Sequence, residues 1–144
     1  MTMKKTILPL LLLFALLLSA CAGMRNKPGP LAEPADPNAL PDIIGDYAVN
    51  GTDLTDSDYG GTLHIEAGRS PGEYRLAWVL TESIQEGIGR IEGNQLVAAW
   101  HTNDGMVSGT ITYTITKVGQ LIGTRTIDGI PGSYRETCYP NAGP

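Results

Sequence analysis

The side chains able to do chemistry in this 144-residue chain are few. Its two histidines, His64 and His101, each sit in a run that alternates apolar with polar residues. In both runs the imidazole takes the phase opposite the aromatic side chains, which is the wet face of a strand. Ser57, Ser70 and Ser83 fall in turn-like stretches, and no Gly-x-Ser-x-Gly elbow exists to activate a serine. Turn serines of this kind bond their own backbone. Cys138 would need an adjacent base to act as a nucleophile, and no spacing supplies one. One acidic stretch, Asp53-Leu54-Thr55-Asp56-Ser57-Asp58-Tyr59-Gly60-Gly61, offers Asp53, Asp56 and Asp58 as weak candidate calcium ligands. Calcium takes several oxygens from a sharply turning backbone. An EF-hand spacing begun at Asp56 fails, because Gly60 and Ala67 stand where a third ligand and a bidentate Glu are required. A solvated hairpin loop is the simpler expectation, with no metal. No motif calls for a cofactor, and the chain reads as non-enzymatic.

These side chains must be positioned by strands, because the period of the sequence is two from Ile43 onward. Runs at 43–50, 59–66, 73–81, 95–101 and 108–117 alternate apolar and polar residues, and weaker ones follow at 85–92, 120–127 and 132–139. Short loops with Asn-Gly, Val-Gly and Asp-Gly separate them, as hairpins require. Connections this short allow antiparallel neighbours and leave no room for crossovers. The expectation is an all-β, antiparallel, up-and-down meander of about eight strands. It closes into a small barrel to remove its edges; a two-sheet β-sandwich is the alternative. Tyr47, Tyr59, Tyr74, Trp78, Trp100 and Tyr113 share the inward phase with Gly61, Gly109 and Gly123, the large–small mixture that fills a narrow interior. An eight-stranded barrel is either just filled by side chains or holds one small ligand. A packed core around Trp78 and Trp100 is expected. An open one would make Trp78, Trp100, Tyr113 and Arg125 the pocket.

Upstream, Lys4 and Lys5 precede an apolar block from Ile7 to Leu18, the layout of a secretory signal peptide. Thr6–Ala20 is only 15 residues long, against the roughly 20 that a spanning helix needs. Residues 22–41 carry prolines at 28, 30, 34, 37 and 41 with no apolar periodicity, and read as a partly polyproline tether. The organisation expected is a signal at 1–20, Cys21 and its tether at 21–42, and a barrel domain at 43–144. Without Lys4 and Lys5, eight basic residues face fifteen acidic ones, a net charge of −7. That balance argues against nucleic acid and anionic lipid surfaces as partners.

Leu18-Ser19-Ala20-Cys21 resembles the lipobox of bacterial lipoproteins, with Leu, small, small, Cys intact. The resemblance implies that Cys21 becomes a lipid-bearing N-terminus, held in a bilayer by acyl chains at ~0.8 kcal/mol per buried CH₂. Ala22 after the cysteine implies the outer membrane in a Gram-negative envelope. Cys138 is then the one remaining thiol, so no intramolecular disulfide can form. Gly45-Asp46-Tyr47 is similar to the Gly-x-Trp opening of lipocalin and avidin-like barrels, where a late Arg or Lys packs over the ring; Arg125 or Arg135 would do so here. Residues 45–123 resemble small exported bacterial proteins, some loosely labelled fibronectin-binding. Ser108-Gly109-Thr110-Ile111-Thr112-Tyr113 is similar to the Ser-Gly-x-x-Tyr loop of lysozyme-inhibiting lipoproteins, with one residue too many and without that family's disulfide. The function expected is a membrane-anchored binding or envelope-associated module, with an envelope or extracellular protein as a further partner. A lysozyme inhibitor or a carrier of a small hydrophobic ligand is the alternative.

Overall fold

In the computed structural model, which describes residues 29–141, the alternating runs become eight strands: β1 (Gly45–Thr52), β2 (Asp58–Ala67), β3 (Glu73–Leu80), β4 (Ile84–Glu92), β5 (Gln95–Thr102), β6 (Ser108–Ile115), β7 (Leu121–Ile127) and β8 (Ile130–Pro140). Each pairs antiparallel with the next, and β8 returns to β1 through Tyr47↔Pro140 to Thr52↔Arg135, closing the barrel. Closure answers the edge problem, since every strand has a neighbour on both sides. The meander is therefore a barrel and not a sandwich. Asp128-Gly129 shows the turn chemistry: Ile127 pairs with Ile130, and Gly129 takes φ +78° at no steric cost.

The strand ends differ from the periodic runs by at most two residues, and two of them show why. β1 begins at Gly45, because Ile43 is drawn into the core and its carbonyl accepts the Tyr47 hydroxyl at 2.7 Å. β6 stops at Ile115, because Thr116 turns the chain and exchanges hydrogen bonds with Gln120.

The inward phase is graded along the barrel. Towards the end marked by the β2–β3, β4–β5 and β6–β7 turns it is apolar, with Leu63, Ile65, Leu76, Leu96, Ile115 and Leu121 all at most 2 % exposed. Towards the opposite end it becomes polar, through Tyr59, Gln85, Arg125, Tyr134 and Glu136. Aromatic rings are seated on inward glycines of the neighbouring strand. A Cβ added at Gly123 would stand 2.6 Å from the Tyr113 ring, and one at Gly109 would stand 2.9 Å from Trp100. At Gly123 only glycine leaves room for the ring, and at Gly109 the nearer obstruction to an added Cβ is the Thr126 carbonyl oxygen.

The described part of the proline-rich segment lies against the barrel. From Pro30 to Ile43 the chain is a strap docked across the apolar end. Gln120 Nε2 donates to the Pro30 carbonyl at 2.8 Å, and the Ala32 amide donates to Gln120 Oε1 at 2.9 Å. Pro34 bridges Thr116, the Ala35 amide donates to the Ile115 carbonyl, and Asn94 Nδ2 donates to the Ala35 carbonyl. Ala35 and Ile43 are 3 % and 2 % exposed. Extended proline-rich backbone keeps its carbonyls free, so it can dock on polar turns as readily as it can float in water.

Candidate functional site

Four strands aim polar side chains into the same half of the barrel. β8 runs Tyr134, Glu136, Cys138 on its inward phase, and β7 runs Gly123, Arg125, Ile127 beside it. The register shifts between Arg125 and Ile127, a bulge of the kind that re-aims a side chain. Arg125 Nε lies 3.4 Å from Glu136 Oε2, with both side chains at most 1 % exposed. Arg125 Nη1 donates to Gln85 Oε1 at 2.8 Å from β4. The guanidinium carbon is 4.9 Å from the centre of the Trp78 ring and 4.7 Å from that of Trp100, so the cation is sandwiched between two indoles.

Glu136 collects the other donors. The Tyr59 hydroxyl donates to its Oε2 at 2.7 Å, and Trp78 Nε1 and the Tyr113 hydroxyl both donate to its Oε1, the former at 3.2 Å. The Cys138 thiol stands 3.6 Å from the Tyr113 oxygen. Burial works to lower the Arg125 pKa, but the Glu136 charge and then the Tyr113, Tyr134 and Tyr59 oxygens outweigh it and leave it raised. Desolvation, with Cys138 and Glu136 behind it, raises Tyr113 well above its ordinary value. Desolvation, then Glu136, does the same to the Cys138 thiol. The centre is a buried hydrogen-bonded lattice in which burial holds the protons of Tyr113 and Cys138 above their ordinary range.

At its outer end this lattice meets a cleft of about 430 Å³. Gln85, Arg125, Tyr59 and Tyr134 border it from within, and Asp53, Asp58 and Glu82 are among the residues at its mouth. Tyr59 and Tyr134 meet edge to face with centroids 6.2 Å apart. Arg125 Nη2 has no hydrogen-bond partner, and neither does its Nε beyond the ion-pair distance above.

The structure thus gathers Trp78, Trp100, Tyr113 and Arg125 in one place, at 0–2 % exposure. The first three are packed core and not the walls of an open pocket; Arg125 alone borders the cleft. Arg125 packs on Trp78 and Trp100 and not on Tyr47, whereas Arg135 lies on the exposed face of β8. Glu136, Gln85 and Tyr134 complete the arrangement, and sequence reading passed them over. The missed signal was the inward phase itself: Glu136 stands two residues from Cys138, as Arg125 stands two from Gly123.

The remaining sequence candidates lie elsewhere. Asp53 is consumed by its own loop, accepting from the Thr55 amide and hydroxyl, both at 2.7 Å, and from the Ser57 amide at 3.0 Å. Asp58 accepts from the Thr52 hydroxyl at 3.2 Å. Among the described residues no three His, Cys, Asp or Glu side chains are gathered as metal ligands, so Asp53, Asp56 and Asp58 do not form the ligand set considered for calcium. His64 pairs with Asp46 at 2.6 Å on the outer surface, and His101 Nδ1 lies 2.9 Å from the Thr102 carbonyl. Ser108–Tyr113 lies within β6, with Tyr113 fully buried, so it presents no loop to a lysozyme cleft. Leu18, Ser19, Ala20 and Cys21 lie outside the described residues.

Solved structures similar to this chain include designed barrels. A redesigned β-barrel, mFAP1, bound to DFHBI superposes with a TM-score of 0.57 at 15% identity, covering 69% of this chain and 94% of that one. The redesigned barrel b11L5F_LGL gives 0.57 at 15% over 69% and 92%, and a de novo designed fluorescence-activating β-barrel gives 0.55 at 12% over 68% and 93%. At these identities the likeness is one of fold. No family model matches the chain. No curated protein matches it either.

Proposed function

We propose that this chain is a lipid-anchored envelope protein whose barrel binds a small molecule at its open end and catalyses no reaction. The observation that carries the binding reading is the asymmetry of the barrel. One end is sealed by the Pro30–Ile43 strap, and the other opens as a cleft of about 430 Å³ floored by Arg125. Ligand sites are concave, of roughly 300–1,000 Å³, with a few convergent polar groups, and the mouth has that form. A barrel of this shape holds a small molecule in mFAP1 with DFHBI. The anchor rests on Leu18-Ser19-Ala20-Cys21 and the basic, apolar start before it.

Binding is tested by titrating fragments against ¹⁵N-labelled residues 22–144 and following the indole signals of Trp78 and Trp100. Fragments that shift these and the Thr81–Ser83 amides support the reading; a broad panel that shifts none of them overturns it. Anchoring is tested separately by Cys21→Ala, which should release the protein from the membrane fraction. Retention in that fraction would rule out the lipid.

A further inference from the structure

Arg125 carries a feature that its core role does not use. Its side chain is 1 % exposed, yet Nη2 has no hydrogen-bond partner, and the residue borders the mouth cleft. Buried donors are satisfied in the great majority of structures, so an orphan at the floor of a cleft asks for an acceptor from outside. The charge of the surroundings decides what kind. Glu136 already balances Arg125 at 3.4 Å, so the floor is neutral as a pair. An incoming anion would find no net positive charge there, and it would first pass Asp53, Asp58 and Glu82 at the mouth. A neutral acceptor meets no such opposition. A positive group on the outer part of the same molecule is drawn to the rim.

We infer that the mouth cleft binds a small organic molecule with a neutral carbonyl-type acceptor at its inner end and a positive charge at its outer end. Arg125 Nη2 donates to the acceptor, Tyr59 and Tyr134 flank the body of the molecule, and Asp58 and Glu82 select the charge. This rests on the small-molecule reading above and names its ligand class. Cation-bearing ligands favour carboxylates and aromatic faces together, and both border this cleft.

The test is a matched series differing in outer charge alone: 4-(aminomethyl)benzamide, benzamide and 4-carboxybenzamide, titrated against ¹⁵N-labelled residues 22–144. The expected order of affinity is cationic, then neutral, then anionic, with at least tenfold between the ends at low salt. The double variant Asp58→Asn/Glu82→Gln, at exposed positions, should reduce that gap to less than threefold while leaving benzamide unchanged. Arg125→Lys, which keeps the charge but loses the guanidinium fork, should weaken all three alike; if it does not fold, the rim variant still decides. Tightest binding by 4-carboxybenzamide, or a charge order untouched by the rim variant, overturns the ligand class. If none of the three shifts the indoles while other fragments do, the class is wrong and the binding site stands. If nothing shifts them, both readings fall.

Discussion

Replacing Glu136 by Ala removes the acceptor on which the interior converges. The change leaves Arg125 buried with Gln85 as its remaining hydrogen-bond partner, takes the acceptor from Tyr59, and takes one of two acceptors from Trp78. Tyr113 loses its carboxylate partner too. Breaking a buried ion pair from one side costs about 3–5 kcal/mol, because the other charge stays uncompensated. For a domain of just over 100 residues, at about 4 °C per kcal/mol, that is a fall in Tm of about 12–20 °C. Urea unfolding followed by tryptophan emission should show the same loss as a lower midpoint at unchanged slope. The double variant Arg125→Met/Glu136→Leu removes both charges and should recover part of the loss. Recovery stays partial, since the Tyr59 and Tyr113 hydroxyls still lack their acceptor, while the Trp78 indole keeps the Tyr113 oxygen at 3.1 Å. A single variant costing less than about 1 kcal/mol would refute the reasoning. So would a double variant whose cost equals the sum of its singles, which would mean the two side chains are not coupled.

The Cys138 thiol, fully buried and with its pKa pushed up by desolvation and Glu136, should react with a disulfide reagent only as the barrel unfolds; fast labelling of native protein would show that β8 frays. The pH dependence follows from Tyr47, Tyr59, Tyr113 and Tyr134, all raised above the ordinary 10.0, first by desolvation. Groups whose folded pKa is raised leave stability whole below the unfolded pKa and drain it above. Stability should therefore hold up to about pH 10 and fall steeply beyond it. Phenolate absorbance at 295 nm should show these tyrosines ionising together with unfolding, and smooth titration of all tyrosines in a folded barrel would contradict the buried lattice.

Most of the architecture could be read from alternation, because in a closed meander every strand has one buried and one wet face. Gly109-Thr110-Ile111-Thr112-Tyr113 announces both its strand and its phase, and the structure keeps both. The site was only half visible. Trp78, Trp100 and Arg125 stand out by type, whereas Glu136 sits between Arg135 and Thr137 in a run that looks uniformly polar, and its partners lie on β2, β3, β6 and β7. Periodicity assigns a face; it does not say which carboxylate is held there by donors far away in sequence. The docking of the strap is hidden in the sequence for a different reason. Proline density describes backbone stiffness equally well for a floating arm and a docked one, and what distinguishes them, Gln120 and Asn94, lies 59–90 residues downstream.

Those separations set an order of events. The strap precedes the eight strands in the chain, yet the groups that receive it belong to the β4–β5 and β6–β7 turns, and β1 closes against β8, the last strand of the barrel. Contacts so distant along the chain close slowly, since loop entropy is lost before they return anything. A chain emerging N-terminus first can therefore build hairpins in sequence but cannot seal itself until its final strand arrives. A product cut short before β8 leaves β1 and β7 as open edges and Arg125 without its carboxylate.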